Sequence, residues 1–224
     1  MGLKGEFLSI FIMTLEERIK DVQDGDMLVV AGKTFLSRSI IFFMKQYQKR
    51  FPISPEVLKF LNGFVGSHAG ILFWVRGVLY VYESVVKGYK PDEFLKVYGP
   101  NDSFLVVRVK GGYYDYEKDQ AMRYAQELVS VSLTYAYWDL AFWIVYIFTR
   151  FSLTIKINSH SFTIKYNGFS WPLRWGGRMA DYCYETSYRI RNRIRPKDYT
   201  KNPLVISFFE LFLGNELLVI NNIH

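Results

Sequence analysis

The sequence predicts an α+β fold, an antiparallel sheet packed with helices. Two β-rich runs, Ala69 to Val75 and Val78 to Ser84, are separated only by Arg76-Gly77, the two-residue spacing of a tight hairpin. Thr34 to Gln48 and Tyr116 to Val131 place apolar residues at helical spacing instead. Strand and helix signals do not alternate regularly, as a parallel α/β sheet would require, but segregate.

Taken in order, Asp26 to Val30, apolar from Met27 on and preceded by Asp24-Gly25, is expected to form a buried strand. Phe35, Leu36, Ile40, Phe43 and Met44 follow at the spacing of a helix. Ser54-Pro55, a capping residue and a proline suited to the first turn, opens a short helix to Leu61. The hairpin comes next, and Phe104 to Val109 supplies a further strand. Tyr116 to Val131 is helical. Tyr135 to Phe151 holds eight aromatics, the densest patch in the chain, and is expected to form a buried helix or a groove wall. Ser152 to Ile157 and Phe162 to Tyr166 alternate polar and apolar residues around Asn158-Ser-His-Ser, a second hairpin. A helix from Arg178 to Arg193 carries Cys183, a last helix spans Pro203 to Leu213, and Leu217 to Ile220 is a closing strand.

With 224 residues, half of them hydrophobic, and no repeat or linker, the chain is expected to be one domain over 1–224. The longest apolar run, Leu140 to Phe148, has nine residues against the roughly 20 of a bilayer-spanning helix, so no transmembrane segment is expected. Met1 to Met13 lacks the length and cleavage site of a signal peptide, and Glu6 stands where a myristoylation motif has Ser or Thr. A cytoplasmic or other reducing location is therefore expected. Twenty-eight Lys and Arg against 21 Asp and Glu give a net charge of +7, compatible with peripheral contact with an anionic surface. The basic stretch Tyr188 to Lys197 suits a solvated helix end. No nucleic-acid motif accompanies it, and nucleic acid is not an expected partner. Composition says nothing of the oligomeric state.

One cysteine excludes an internal disulfide framework and a zinc site built on several thiols, and neither metal nor cofactor is expected. A thiol acting as a nucleophile needs a helix N-terminus or an imidazole beside it. Cys183 falls early in its predicted helix, behind Trp175-Gly176-Gly177-Arg178, where the glycines allow close approach of backbone to a ligand, and Asp181 is placed to cap that helix. Of three histidines, His160 lies at a hairpin tip and His224 is terminal. His68, in Gly66-Ser67-His68-Ala69-Gly70, enters a strand among small neighbours. If Arg76-Gly77 is a two-residue turn, cross-strand partners sum to 153, which puts Glu83 on the face of His68 and two residues away diagonally. Glu83 is then positioned to orient the imidazole.

Asp24-Gly25-Asp26-Met-Leu-Val-Val, Ser67-His68-Ala-Gly-Ile-Leu, Tyr82-Glu83 and the late Cys183 together resemble the circularly permuted papain-like cysteine hydrolases of the NlpC and YiiX type. The resemblance covers the order of elements over about residues 20–195, with an unassigned insertion at about 135–170. It implies a papain-like fold with Cys183 as nucleophile, His68 as general base and then acid, and Glu83 orienting His68. Trp175, Gly176, Gly177 and Tyr182 would line the substrate site, and the backbone N–H of Cys183 would help to hold the oxyanion. The implied activity is hydrolysis of an amide, of peptide or cell-wall type, or of an ester or thioester. The lecithin retinol acyltransferase group makes an acyl lipid an alternative substrate, and a non-catalytic binding module on the same fold is the other alternative.

Overall fold

The computed structural model describes residues 15–50, 53, 55–85, 87–109, 112–131, 134–135, 151–157, 160–166, 180–181, 183, 187, 190 and 217–223. Its centre is a six-stranded sheet. Strands β1 (Met27–Ala31), β2 (His68–Val75), β3 (Val78–Val85), β4 (Gly88–Glu93), β5 (Ser103–Val109) and β10 (Leu217–Ile223) lie in the order β10-β5-β1-β2-β3-β4, and every neighbouring pair is antiparallel. The α+β expectation holds at this level. The second hairpin is also formed, by β7 (Phe151–Ile157) and β8 (His160–Tyr166), which pair antiparallel from Phe151↔Tyr166 to Ile157↔His160.

Strand β1 and strand β2 from Ala69 on carry no polar side chain because both of their faces are covered. Met27, Val29, Ala69, Ile71, Phe73, Leu105 and Val107 form one buried face. Helices α2 (Phe35–Arg50), α3 (Pro55–Leu61) and α5 (Asp115–Ser130) cover it with Ile40, Met44, Tyr47, Val57, Leu61, Ala121, Ala125 and Leu128. On the other face Leu28, Val30, Leu72, Val81, Phe104 and Val106 meet Leu15 and Ile19 of α1 (Leu15–Ile19) and Phe94 of α4 (Phe94–Val97). Phe94 and Phe104, fully buried, pack edge to face with ring centres 5.5 Å apart, a geometry that satisfies the ring quadrupoles.

The β2–β3 turn is as short as expected. Arg76 and Gly77 both adopt positive φ (52° and 77°), the signature of a type I′ turn, whose twist matches the flanking strands. Register follows directly, running from Val75↔Val78 to Gly70↔Glu83, each pair summing to 153. Two elements depart from expectation. β4 contains Pro91, which argues against a strand in general but is tolerated here because β4 is the sheet edge. The helix expected from Arg178 starts later: Ala180–Asp181 form β9, paired in parallel with Thr134–Tyr135 (β6), and helical backbone is described at Cys183, Ser187 and Ile190. Asp181 is thus a strand residue and not part of a helix beginning at Arg178. The predicted Pro203 to Leu213 helix, and residues 136–150 of the aromatic segment, lie outside the described residues. Among the described residues no helix is long and apolar enough to cross a membrane.

Candidate functional site

Three segments converge at the end of the sheet where β2 begins. Ser67 fixes that end: its backbone N–H donates to the Val30 carbonyl at 2.7 Å, and its hydroxyl accepts the Gly32 N–H at 2.9 Å. His68 is consequently held as the first residue of β2, paired with Val30, with its side chain 21% exposed. A side chain at a strand's first residue is bounded by neighbours on one side only, which leaves the ring open to a group beyond the sheet.

Glu83 enters from β3, 3% exposed, with Oε2 2.7 Å from His68 Nε2. The reach is diagonal, as the turn arithmetic requires. Its direct cross-strand partner is Gly70, where a Cβ would lie 2.7 Å from Val81 Cγ2, 3.0 Å from the Tyr82 carbonyl oxygen and 3.2 Å from Glu83 Cβ. Glycine at that position leaves the space across which the carboxylate meets the ring. Tyr98 supplies a contact the sequence does not announce. Its buried hydroxyl, just past α4, donates to the same Oε2 at 2.7 Å. Lys90 stands opposite Glu83 on β4.

Cys183 completes the group. It is 2% exposed and shares one helical face with Ser187 and Ile190, also buried, at the i, i+4, i+7 spacing. Residue 181 is still strand, so Cys183 lies in the first turn of its helix. Cys183 lies near enough to His68 to act on the imidazole electrostatically, raising its pKa. With Nε2 committed to Glu83, Nδ1 is the ring nitrogen left for the thiol. The imidazole thus meets the Glu83 carboxylate directly and has Cys183 in its electrostatic surroundings. Trp175, Gly176, Gly177 and Tyr182, the expected substrate-lining residues, lie outside the described residues.

Electrostatics favour the charged forms of His68 and Glu83. Burial pushes the His68 pKa down, but the charges of Cys183 and Glu83 and the hydrogen bond to Glu83 outweigh it and hold the imidazole well above its ordinary value. For Glu83, burial pushes up. The His68 charge and hydrogen bond, the Tyr98 hydroxyl and the Lys90 charge overcome this and leave the carboxyl below its ordinary value. Burial, followed by the Glu83 charge, pushes the Tyr98 phenol far up, so it remains a donor throughout the accessible pH range.

These directions fix a pH dependence of stability. Glu83, lowered on folding, contributes stability above its ordinary pKa of about 4.5 and loses it as pH falls through the folded value. His68, raised on folding, contributes below its ordinary value of about 6.5 and loses it as pH rises through the folded value. The stability difference between wild type and Glu83→Gln, measured by urea unfolding, is expected to peak between those two values and to shrink on either side. A difference independent of pH would mean that the pair is not ionised in the folded protein.

Among the described residues no group of three or more His, Cys, Asp or Glu side chains is arranged to hold a metal ion. No family model and no curated protein matches the sequence. Five chains among the solved structures do match. One is the crystal structure of the metalloprotein YiiX from Escherichia coli O157:H7, DUF1105, which is 15% identical with a TM-score of 0.49, the match covering 89% of this chain and 97% of that one.

Proposed function

We propose that this protein is a cysteine hydrolase of acyl bonds working through Cys183, His68 and Glu83. The observation that carries the reading is the His68 imidazole, 2.7 Å from the buried Glu83 carboxylate, with Cys183 near enough to act on it electrostatically. In the proposed reaction the Cys183 thiol passes its proton to His68, and Sγ attacks the substrate carbonyl carbon. Collapse of the tetrahedral intermediate expels the leaving group, which takes the proton from His68, and leaves a thioester. Water, deprotonated by His68, then releases the acid and restores the thiol. Glu83 orients the ring and stabilises its cationic form, the part a carboxylate plays in such a triad. A first-turn residue has a backbone N–H without an intrahelical acceptor, which suits Cys183 N–H to the oxyanion. The papain-like resemblance noted in the sequence agrees with this order of nucleophile, base and orienting group. An amide, an ester or a thioester would each meet these requirements.

The thiol's low exposure favours one other reading, a buried cysteine serving only as core. Iodoacetamide separates the two. Native labelling of Cys183 at neutral pH is expected, slowed about tenfold or more by His68→Ala because the partner that accepts the thiol proton is gone. Labelling only after denaturation would sink the hydrolase reading.

A further inference from the structure

Helix α2 presents to solvent a stripe that the fold does not explain. Its inner face is Ile40, Met44 and Tyr47, all buried in the core. Phe35, Arg38, Phe42, Lys45 and Lys49, spaced i, i+3, i+7, i+10, i+14, lie on the opposite side and are all exposed. Phe35 is 88% and Phe42 54% exposed, and Leu36 beside them is 50% exposed. Neither phenylalanine contributes to the core. The helix carries Arg38, Lys45, Lys49 and Arg50 and not one Asp or Glu. Sixteen residues make it about 24 Å long, an extended strip on which bulky aromatics alternate with cations.

We infer that this face of α2 docks the protein on an anionic phospholipid surface, with the phenylalanines entering the acyl boundary and the cations meeting the headgroups. Charge selects the occupant. Arg38, Lys45 and Lys49 on this face, with no carboxylate on the helix and a chain of net charge +7, are complementary to an acidic bilayer, and exposed aromatics add the apolar burial that a purely electrostatic contact lacks. Thr34 holds the helix end that carries Phe35: its hydroxyl oxygen accepts the Ser37 N–H at 3.1 Å, and its carbonyl accepts the Arg38 N–H at 2.9 Å. Gly32, two residues earlier, is hydrogen-bonded to Ser67, the neighbour of His68. Docking through α2 thus brings a bilayer close to the candidate site, yet depends on neither the thiol nor its chemistry.

The test uses the full chain carrying Cys183→Ala, so that its outcome is independent of hydrolysis. Sedimentation with phosphatidylcholine vesicles containing phosphatidylserine is expected to carry the protein down, with little binding to phosphatidylcholine alone and progressive release as salt is raised. Phe35→Ser with Phe42→Ser is expected to weaken binding about tenfold or more, as is Arg38→Gln with Lys45→Gln and Lys49→Gln. Circular dichroism and thermal melting should be unchanged, because none of these side chains is buried. Should the phenylalanine variant lose its fold, the charge variant decides. Failure of the folded protein to bind the acidic vesicles overturns the inference, and so does binding that both variants leave intact. Displacement by an RNA oligonucleotide, with loss on charge removal but none on phenylalanine removal, overturns it in favour of a nucleic-acid surface.

Discussion

Cys183→Ala is expected to reduce hydrolysis of p-nitrophenyl acetate or of a short peptide amide by about 10⁴-fold or more, to the background of the uncatalysed reaction plus whatever binding alone supplies. In the proposed reaction the thiol is the nucleophile on which the acyl intermediate forms, and alanine offers nothing in its place. His68→Ala should approach the same loss, because the thiol then has no proton acceptor and the leaving group no donor. Glu83→Gln should fall short of it, with a loss between about 10² and 10⁴, since attack survives while ring orientation and imidazolium stabilisation suffer. The values of kcat and KM for each variant, with circular dichroism as a check on folding, measure this. Loss confined to KM would place these residues in substrate binding. An unchanged kcat/KM in Cys183→Ala would remove the thiol from the reaction.

The part of the site legible in sequence is the part set by backbone arithmetic. A two-residue turn leaves one register, and one register determines which side chains share a face, so Arg76-Gly77 is enough to bring Glu83 toward His68 across Gly70. Cys183 is recognisable by its chemistry and its place early in a helix, but no spacing rule connects residue 183 to residue 68. Only tertiary packing does. Tyr98 has no such signal, because a phenol 15 residues beyond Glu83 becomes its hydrogen-bond donor only through the path of β4 and α4. β4 itself is hidden by Gly88 and Pro91, residues that normally end strands and are accommodated where one side of a strand has no partner. Ala180 and Asp181 pair in parallel with β6, and a contact so remote in sequence leaves no local trace.

Arg108→Leu is expected to destabilise the fold by about 3–5 kcal/mol while leaving iodoacetamide labelling of the native protein unchanged. Asp26, in the Asp24-Gly25-Asp26 segment that carries part of the papain-like resemblance, is fully buried. Its carboxylate accepts Arg108 Nε and Nη2, each at 2.8 Å, and the Gln23 N–H at 2.8 Å, while Asp24 accepts the Trp74 N–H at 2.6 Å. These acids tie the entry of β1 to β5 and to the far end of β2, away from His68 at the other end of that strand. Without Arg108 the carboxylate keeps its desolvation cost and loses its cation, the situation that makes breaking one half of a buried pair so damaging. Burial already outweighs Arg108 and holds Asp26 above its ordinary pKa. A carboxyl raised on folding loses its stabilising contribution as pH rises through the folded value, so the deficit of Arg108→Leu should be smallest in acid and grow toward neutrality. Urea unfolding of both proteins across that range measures it. A deficit that does not vary with pH would assign the loss to packing of the arginine stem, and altered native labelling would mean that the two ends of β2 are coupled.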